Sequence, residues 1–163
     1  MSGCAPPNAI IIKEGETRYK TLDELVAYAK AHPGELSVGI SGIKNTGGVA
    51  CAVFEFMTGI KLKVVPFNGA AAVNGAVATG HVDLGITQTL ATSGITPLMT
   101  FGCKLSAYPD LPTAAELGYK YTWNNATGIF VPKGTPPAII ATLEKAFLKV
   151  FKEPQVIDAL KNL

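Results

Sequence analysis

With 163 residues, 48% hydrophobic side chains and a mean hydropathy of +0.29, the chain can build one sizeable domain or two small ones with a genuine core. A formal net charge of +2, with lysines and arginines scattered, argues against a nucleic-acid partner. No stretch approaches the roughly 18 apolar residues of a membrane-spanning helix. Cys4, Cys51 and Cys103 form no CxxC pair, which argues against zinc and against a full disulfide framework.

The opening "MSGCAPPNA" has neither a basic n-region nor an apolar h-region, so no secretory signal is expected in it. "NAIIIK" (Asn8–Lys13) is a short β-rich run. Thr21 with Glu24 makes a capping-box pattern, and Leu22, Leu25, Val26 and Ala29 share one helical face until Pro33-Gly34. "LSVGIS" (Leu36–Ser41) reads as a buried strand. A polar loop follows, then a nearly all-apolar helix near Gly47–Thr58. "KLKVVPF" (Lys61–Phe67) is the next strand. Asn68-Gly69 opens a small-residue helix to Thr79, which Gly80 ends. "HVDLGIT" (His81–Thr87) and "PLMTFGCKL" (Pro97–Leu105) are two more strands.

From Ser106 the character changes. "YPDLPTAAELGY" predicts a Pro-bounded loop with a helical turn or two, and "YTWNNATGIFVPKGTPP" an extended aromatic segment. Thr135 is placed to cap a helix whose first position is Pro136. Ile139, Ile140, Leu143, Ala146, Phe147, Val150 and Phe151 give that helix a broad apolar stripe. Glu153-Pro154 starts a final short helix.

Strands alternating with helices of about ten residues predict βαβ units, hence an α/β fold with a mostly parallel sheet and helices on both faces. Ligands of such sheets collect where strands end and helices begin, and a helix amino end favours an anion. Two loops have that placement, Ser41–Gly48 and Phe67–Ala71. The first offers Ser41, Gly42, Asn45, Thr46 and Gly47 with one cation, Lys44. Both could equally be ordinary strand-to-helix turns, with Asn45 or Thr46 capping the helix internally. Both readings stay open.

Enzyme readings find less support. "GIKNTGG" lacks P-loop spacing because its lysine precedes the glycine pair, and "KNTG" has no accompanying SxxK. Asp83 could be a base but has no evident acid partner. His81 reads as a surface residue, and Cys51 and Cys103 as buried small hydrophobes. Trp123, Asn124 and Asn125 could line a pocket or anchor two layers, and Asn125–Thr127 matches a glycosylation sequon. Neither a metal site nor a cofactor is expected.

Taken in order, "TLDELVAYAKAHPGELSVGISG", "VPFNGAAAVNGAVATGHVDLGI", "YPDLPTAAELGY", "GIFVPKGTPPAIIATLEKAF" and "EPQVIDALKNL" resemble the substrate-binding receptors of tripartite tricarboxylate transporters, the Bug-type periplasmic solute-binding proteins. The resemblance runs collinearly from Ile10 to Leu163. It implies one lobe of a type II periplasmic binding protein, a small carboxylate ligand, a transporter membrane component as partner, and a periplasmic location. It also implies ligand contacts at Ser41, Gly42, Asn45, Thr46, Asn68, Gly69 and Ala70. Lys44 and Gly47 in the same loop join this set, as does Thr87, near which the family often has an acidic residue.

The chain departs from the family pattern in four places. The first loop is "IKNTGGVAC" rather than serine-rich, "NGAAA" stands at Asn68–Ala72, the stretch from Thr87 to Leu98 looks shortened, and a first-lobe segment upstream of Ile10 is not matched. The expected organisation is an α/β lobe at residues 8–105 and a returning C-terminal segment at residues 106–163. A fragment, a relic or a stand-alone domain would each fit that expectation. The apolar helix after Pro136 would belong against the absent lobe, so a homodimer with exchanged C-terminal segments is expected. The alternative function is a stand-alone interaction domain without ligand.

Overall fold

The computed structural model describes residues 7–120 and 129–161. It divides into two compact units, Met1–Ala126 and Thr127–Leu163.

The first unit is built on a five-stranded sheet ordered β3-β2-β4-β1-β5. Its strands are β1 (Ala9–Lys13), β2 (Ser37–Ile40), β3 (Lys63–Pro66), β4 (Leu84–Thr87) and β5 (Ile95–Thr100). Helices α1 (Leu22–Ala31), α2 (Thr46–Thr58) and α3 (Ala70–Thr79) intervene. β2 pairs in parallel with both β3 and β4, whereas β1 pairs antiparallel with β4 on one side and β5 on the other. Four strands therefore run one way, and β1 is threaded between two of them in reverse.

Helices cover both faces, and β1 shows how the faces are divided. Its side chains alternate, as strand geometry demands. Ile10 and Ile12 join Leu25, Val26 and Ala29 of α1 and Ala50, Cys51 and Phe54 of α2. Ala9 and Ile11 point the other way, to Ala76 and Val77 of α3 and to Val82 and Leu90. A strand buried on both faces needs a continuous apolar run, and "AIIIK" supplies it.

α1 forms as its sequence predicts. The Thr21 hydroxyl accepts from the Glu24 N–H at 3.3 Å, while Glu24 accepts from the Lys20 N–H at 2.6 Å. Leu22, Leu25, Val26 and Ala29 are the buried positions. β4 is shorter than expected because the chain turns first at Gly80, which has φ +77°. The N–H groups of His81 and Val82 then go to Ala76 O rather than to a neighbouring strand. β5 starts earlier, at Ile95, and stops at Thr100, whose hydroxyl donates to Cys103 O. Residues 111–119 fold back on the sheet as one capped turn. Glu116 accepts from the Thr113 N–H and hydroxyl, and Ala114 is fully buried.

The second unit holds α4 (Pro137–Val150) and α5 (Pro154–Lys161). Pro136, with φ −57° and ψ 137°, is the cap residue of α4. The Thr135 hydroxyl donates back to Pro132 O at 2.8 Å instead of capping the helix. None of α4's residues is buried.

α3 lies so close to β4 that a Cβ on Gly85 would come within 2.8 Å of Val77, 2.9 Å of Val73 and 3.0 Å of Ile11. Gly75, on the outer face of α3, would place its Cβ in open space. Gly85→Ala is therefore expected to destabilise the protein by about 1–3 kcal/mol through overpacking. Gly75→Ala should stabilise it by about 0.5–1 kcal/mol. Urea denaturation of the two variants checks this, and equal midpoints would contradict the packing.

Candidate ligand-binding site

The parallel register sets the site. Ile40 lies level with Pro66 of β3 and Ile86 of β4, so β2, β3 and β4 end at one edge. Ser41, Phe67 and Thr87 leave that edge side by side. All ten sequence-predicted residues lie along it: Ser41, Gly42, Lys44, Asn45, Thr46 and Gly47 from the first loop, Asn68, Gly69 and Ala70 from the second, and Thr87 at the end of β4.

The two helix amino ends differ. At α2, Asn45 is the cap residue, and its Oδ1 accepts from the N–H groups of Gly47 (3.0 Å) and Gly48 (3.2 Å). Its Nδ2 donates to Ser41 Oγ at 3.1 Å. The loop folds tightly over this turn: Gly42 has φ +145°, and a Cβ on Gly48 would lie 2.0 Å from Ile43 O. Two α2 amides are thus satisfied internally, as a turn-type cap requires. Lys44 is exposed and forms no ion pair with any described residue.

At α3 the cap residue is Gly69, with φ +94° and no side chain to offer. The helix's backbone bonding begins with Val73 N–H to Gly69 O at 3.3 Å, and no side chain caps its amino end. Asn68 and Gly69 are exposed and Ala70 is half-buried. The first turn contains no acidic residue. This end therefore keeps its unmet donors and partial positive charge.

Two residues at the edge were missed in the sequence. Because β1 runs antiparallel, its amino end arrives where β2–β4 finish, and Ala9 lies opposite Thr87. Asn8 is 2% exposed, and its Nδ2 donates to Thr46 O at 3.1 Å. From the other side Gln88 Nε2 reaches Thr46 Oγ1 at 3.5 Å. Thr46 is thus held by one neighbour and approached by another. Thr87 is buried, and its hydroxyl accepts from the Thr89 N–H at 3.2 Å. Only the strand direction could have revealed Asn8, and a parallel arrangement would have put it at the opposite edge.

That opposite edge is closed by charge. Asp83 Oδ2 accepts from the Ser37 N–H (2.8 Å) and hydroxyl (2.6 Å), and Oδ1 pairs with Arg18 at 2.8 Å. Arg18 also pairs with Glu16 at 2.7 Å and lies over the rings of Tyr19 and Tyr28. Burial alone would raise the Asp83 pKa, but the hydrogen bonds from Ser37 and Arg18 outweigh it and hold the carboxyl below its ordinary range. Glu16 is lowered to about 2, chiefly by the side-chain hydrogen bond from Arg18 against an opposing effect of burial. With both oxygens engaged, Asp83 is a structural anchor rather than a poised base.

His81 is exposed, as expected. Cys51 is a buried free thiol whose pKa desolvation pushes up to about 12, which fits an inert packing role. The expectation for Cys103 is corrected: it is half-buried rather than buried, and it is disulfide-bonded. Among the described residues, no group of His, Cys, Asp and Glu is placed to hold a metal. Trp123, Asn124 and the sequon Asn125–Thr127 lie outside the described residues.

This α/β sheet with one reversed strand, helices on both faces and two strand-to-helix loops at one edge matches solved solute-binding proteins. A protein from R. palustris determined with adipate superimposes with a TM-score of 0.82 at 26% identity, over 98% of this chain and 56% of its own. A TctC solute-binding protein from Polaromonas gives a TM-score of 0.76 at 28% identity, over 98% and 57%. In sequence, the Cupriavidus necator "UPF0065 protein in gbd 5'region" is 31% identical over 92% of this chain and 48% of its own length. Residues 5–163 match the tripartite tricarboxylate transporter family receptor, TctC. The chain belongs to this family of solute-binding receptors, and it spans about half the length of the curated relatives it matches.

The charged edge generates a pH dependence. Asp83 and Glu16 have lowered pKa values in the folded state, so the unfolded chain binds more protons in acid. Their stabilisation is present above the ordinary carboxylate range and is lost as pH falls through the folded values. Unfolding free energy is expected to drop below about pH 5, and less steeply in Asp83→Asn, which should also be less stable at neutral pH. Denaturant titrations across that range check it, and parallel pH slopes in the two proteins would contradict the linkage.

Proposed function

We propose that the chain is a receptor lobe that binds a small organic carboxylate, without catalysing a reaction. The observation that carries this reading is the uncapped amino end of α3 beside the Thr46–Gln88 pair, at the edge where three parallel strands finish. One ligand carboxylate would dock on the α3 amides, where Gly69 lets the backbone approach closely. Ser41, Gly42, Asn45, Thr46 and Gly47 would form the facing rim with Asn68, Ala70 and Thr87, and Lys44 would add charge without a fixed geometry. The adipate in the R. palustris relative supports a di- or tricarboxylate. The engaged state of Asp83 supports the non-enzymatic part of the reading.

In this reading the chain works in the periplasm with a transporter membrane component. The Cys103 disulfide suits an oxidising compartment. Calorimetric titration with a panel of di- and tricarboxylates, adipate included, tests the proposal. Thr46→Ala is expected to weaken binding by about 0.5–1.5 kcal/mol, the worth of one hydrogen bond. No binding across the panel, or an unchanged affinity in Thr46→Ala, would count against it.

A second reading is favoured by α4, which exposes Ile139, Ile140, Leu143, Phe147 and Val150. Leaving such a stripe wet forfeits roughly 1.5–3 kcal/mol per large side chain. α4 and α5 would then mediate pairing of two copies, by exchange or by face-to-face packing around a two-fold axis. The lobe would serve as an interaction domain, with or without ligand. Light scattering over a concentration series should show a dimer that Phe147→Asp dissociates. A monomer at every concentration would remove this reading.

A further inference from the structure

We propose that Asn74 is a positioning residue of the ligand site, setting the rim loop 88–94 against the open amino end of α3. The proposal rests on the carboxylate reading above. Asn74 is 1% exposed in a helix otherwise made almost wholly of small apolar residues. Its Nδ2 donates to Thr89 O and to Thr92 Oγ1, both at 2.8 Å. Its Oδ1 is buried and has no hydrogen-bond partner among the described residues.

An unmet buried carbonyl oxygen is unfavourable, so packing alone would be better served by an apolar side chain at this position. What the asparagine contributes is directed outward, to the loop. Reversing the amide would set Oδ1 against the Thr89 carbonyl oxygen, so the donor orientation is the one the loop demands.

The loop has few other ties. Thr89 N–H reaches back to Thr87 Oγ1, Thr92 N–H reaches Leu90 O, Leu90 is buried, and Gly94 O accepts from the Glu14 N–H. Gln88, whose amide approaches the Thr46 hydroxyl, immediately precedes the tethered Thr89. Asn74 itself lies one helical turn after Ala70. It therefore joins the α3 amino end to the loop carrying Gln88, two rims that a single anion would have to touch at once. It acts through the loop rather than on the ligand.

The test uses the whole chain with Asn74→Ala, Thr92→Ala and the double variant, read by adipate titration and by hydrogen exchange of the 88–94 amides. Ser37→Ala, which weakens the charged clamp at the far edge, is the stability control. Asn74→Ala should lose exchange protection across 88–94 and weaken adipate by about tenfold, with Thr92→Ala weaker in effect and non-additive in the double variant. Ser37→Ala should lower the melting temperature and leave adipate affinity within about twofold. If Asn74→Ala behaves like Ser37→Ala, or leaves 88–94 protected, the proposal is overturned. If the wild-type chain binds no carboxylate, the carboxylate reading fails on its own. Exchange then decides: protection lost in Asn74→Ala supports the tether, and protection kept overturns it.

Discussion

The reversed insertion of β1 between β4 and β5 is the constraint on which the rest of the first unit depends. Ala9, Ile10, Ile11 and Ile12 are at most 2% exposed, and they pair on both edges and pack on both faces. Burying three isoleucines at roughly 1.5–3 kcal/mol each makes this run a large share of the core's driving force. Because the strand runs backwards, it joins the two ends of the sheet. It delivers Asn8 to the edge where β2–β4 finish, then emerges at the other edge into the segment carrying Glu16 and Arg18.

The two edges are consequently different chemical environments. At the amino edge, an acid, a guanidinium and a second acid satisfy one another and Ser37, with aromatic rings beneath the cation. These described groups are engaged with one another. At the carboxyl edge the polar side chains of the two loops are neutral amides and hydroxyls, apart from the solvated Lys44. Neutral donors next to an uncapped helix end suit an anion that must also leave, since a buried fixed countercharge would carry a larger desolvation cost in the empty state. Tight packing beneath the edge supports this. Gly85 lets α3 approach the sheet at van der Waals distance, which fixes the height of its amino end above β4.

Much of this was legible in the sequence, for identifiable reasons. The T-x-x-E cap and its four apolar positions fixed α1, and the alternation of short apolar runs with small-residue helices fixed the layer order. That the loops Ser41–Gly48 and Phe67–Ala71 lie at one edge was readable because strand-to-helix junctions in a parallel sheet share an edge. The direction of β1 was not readable, since an all-apolar run specifies burial on both faces but says nothing of orientation. Asn8 was lost with it. The bounds of β4 and β5 moved because the ends of α3 and residues 111–114 compete for their backbone groups. Thr135 was misread as a cap because its hydroxyl has a nearer carbonyl in Pro132. Cys103 was misread because cysteine spacing carries no information about a single bond.

In the carboxylate reading, α3 rather than the more polar-looking α2 would be the helix end that docks the anion. α1 starts near the charged edge and carries Asp23 and Glu24 in its first turn, so its positive end is neutralised by its own acids. α2 has no acid there but spends Asn45 Oδ1 on Gly47 and Gly48, and the carbonyls of Gly42 and Ile43 crowd the same turn. α3 has neither acid nor cap, and Gly69 removes even a Cβ from its approach. The progression runs from a charged cap to a neutral cap to none, and the uncapped end lies at the carboxyl edge of the sheet. Asn45, backed by the Ser41 hydroxyl and conspicuous in the sequence as a ligand group, serves in large part to close α2. That closure leaves α3 as the helix end able to gain most from an incoming carboxylate.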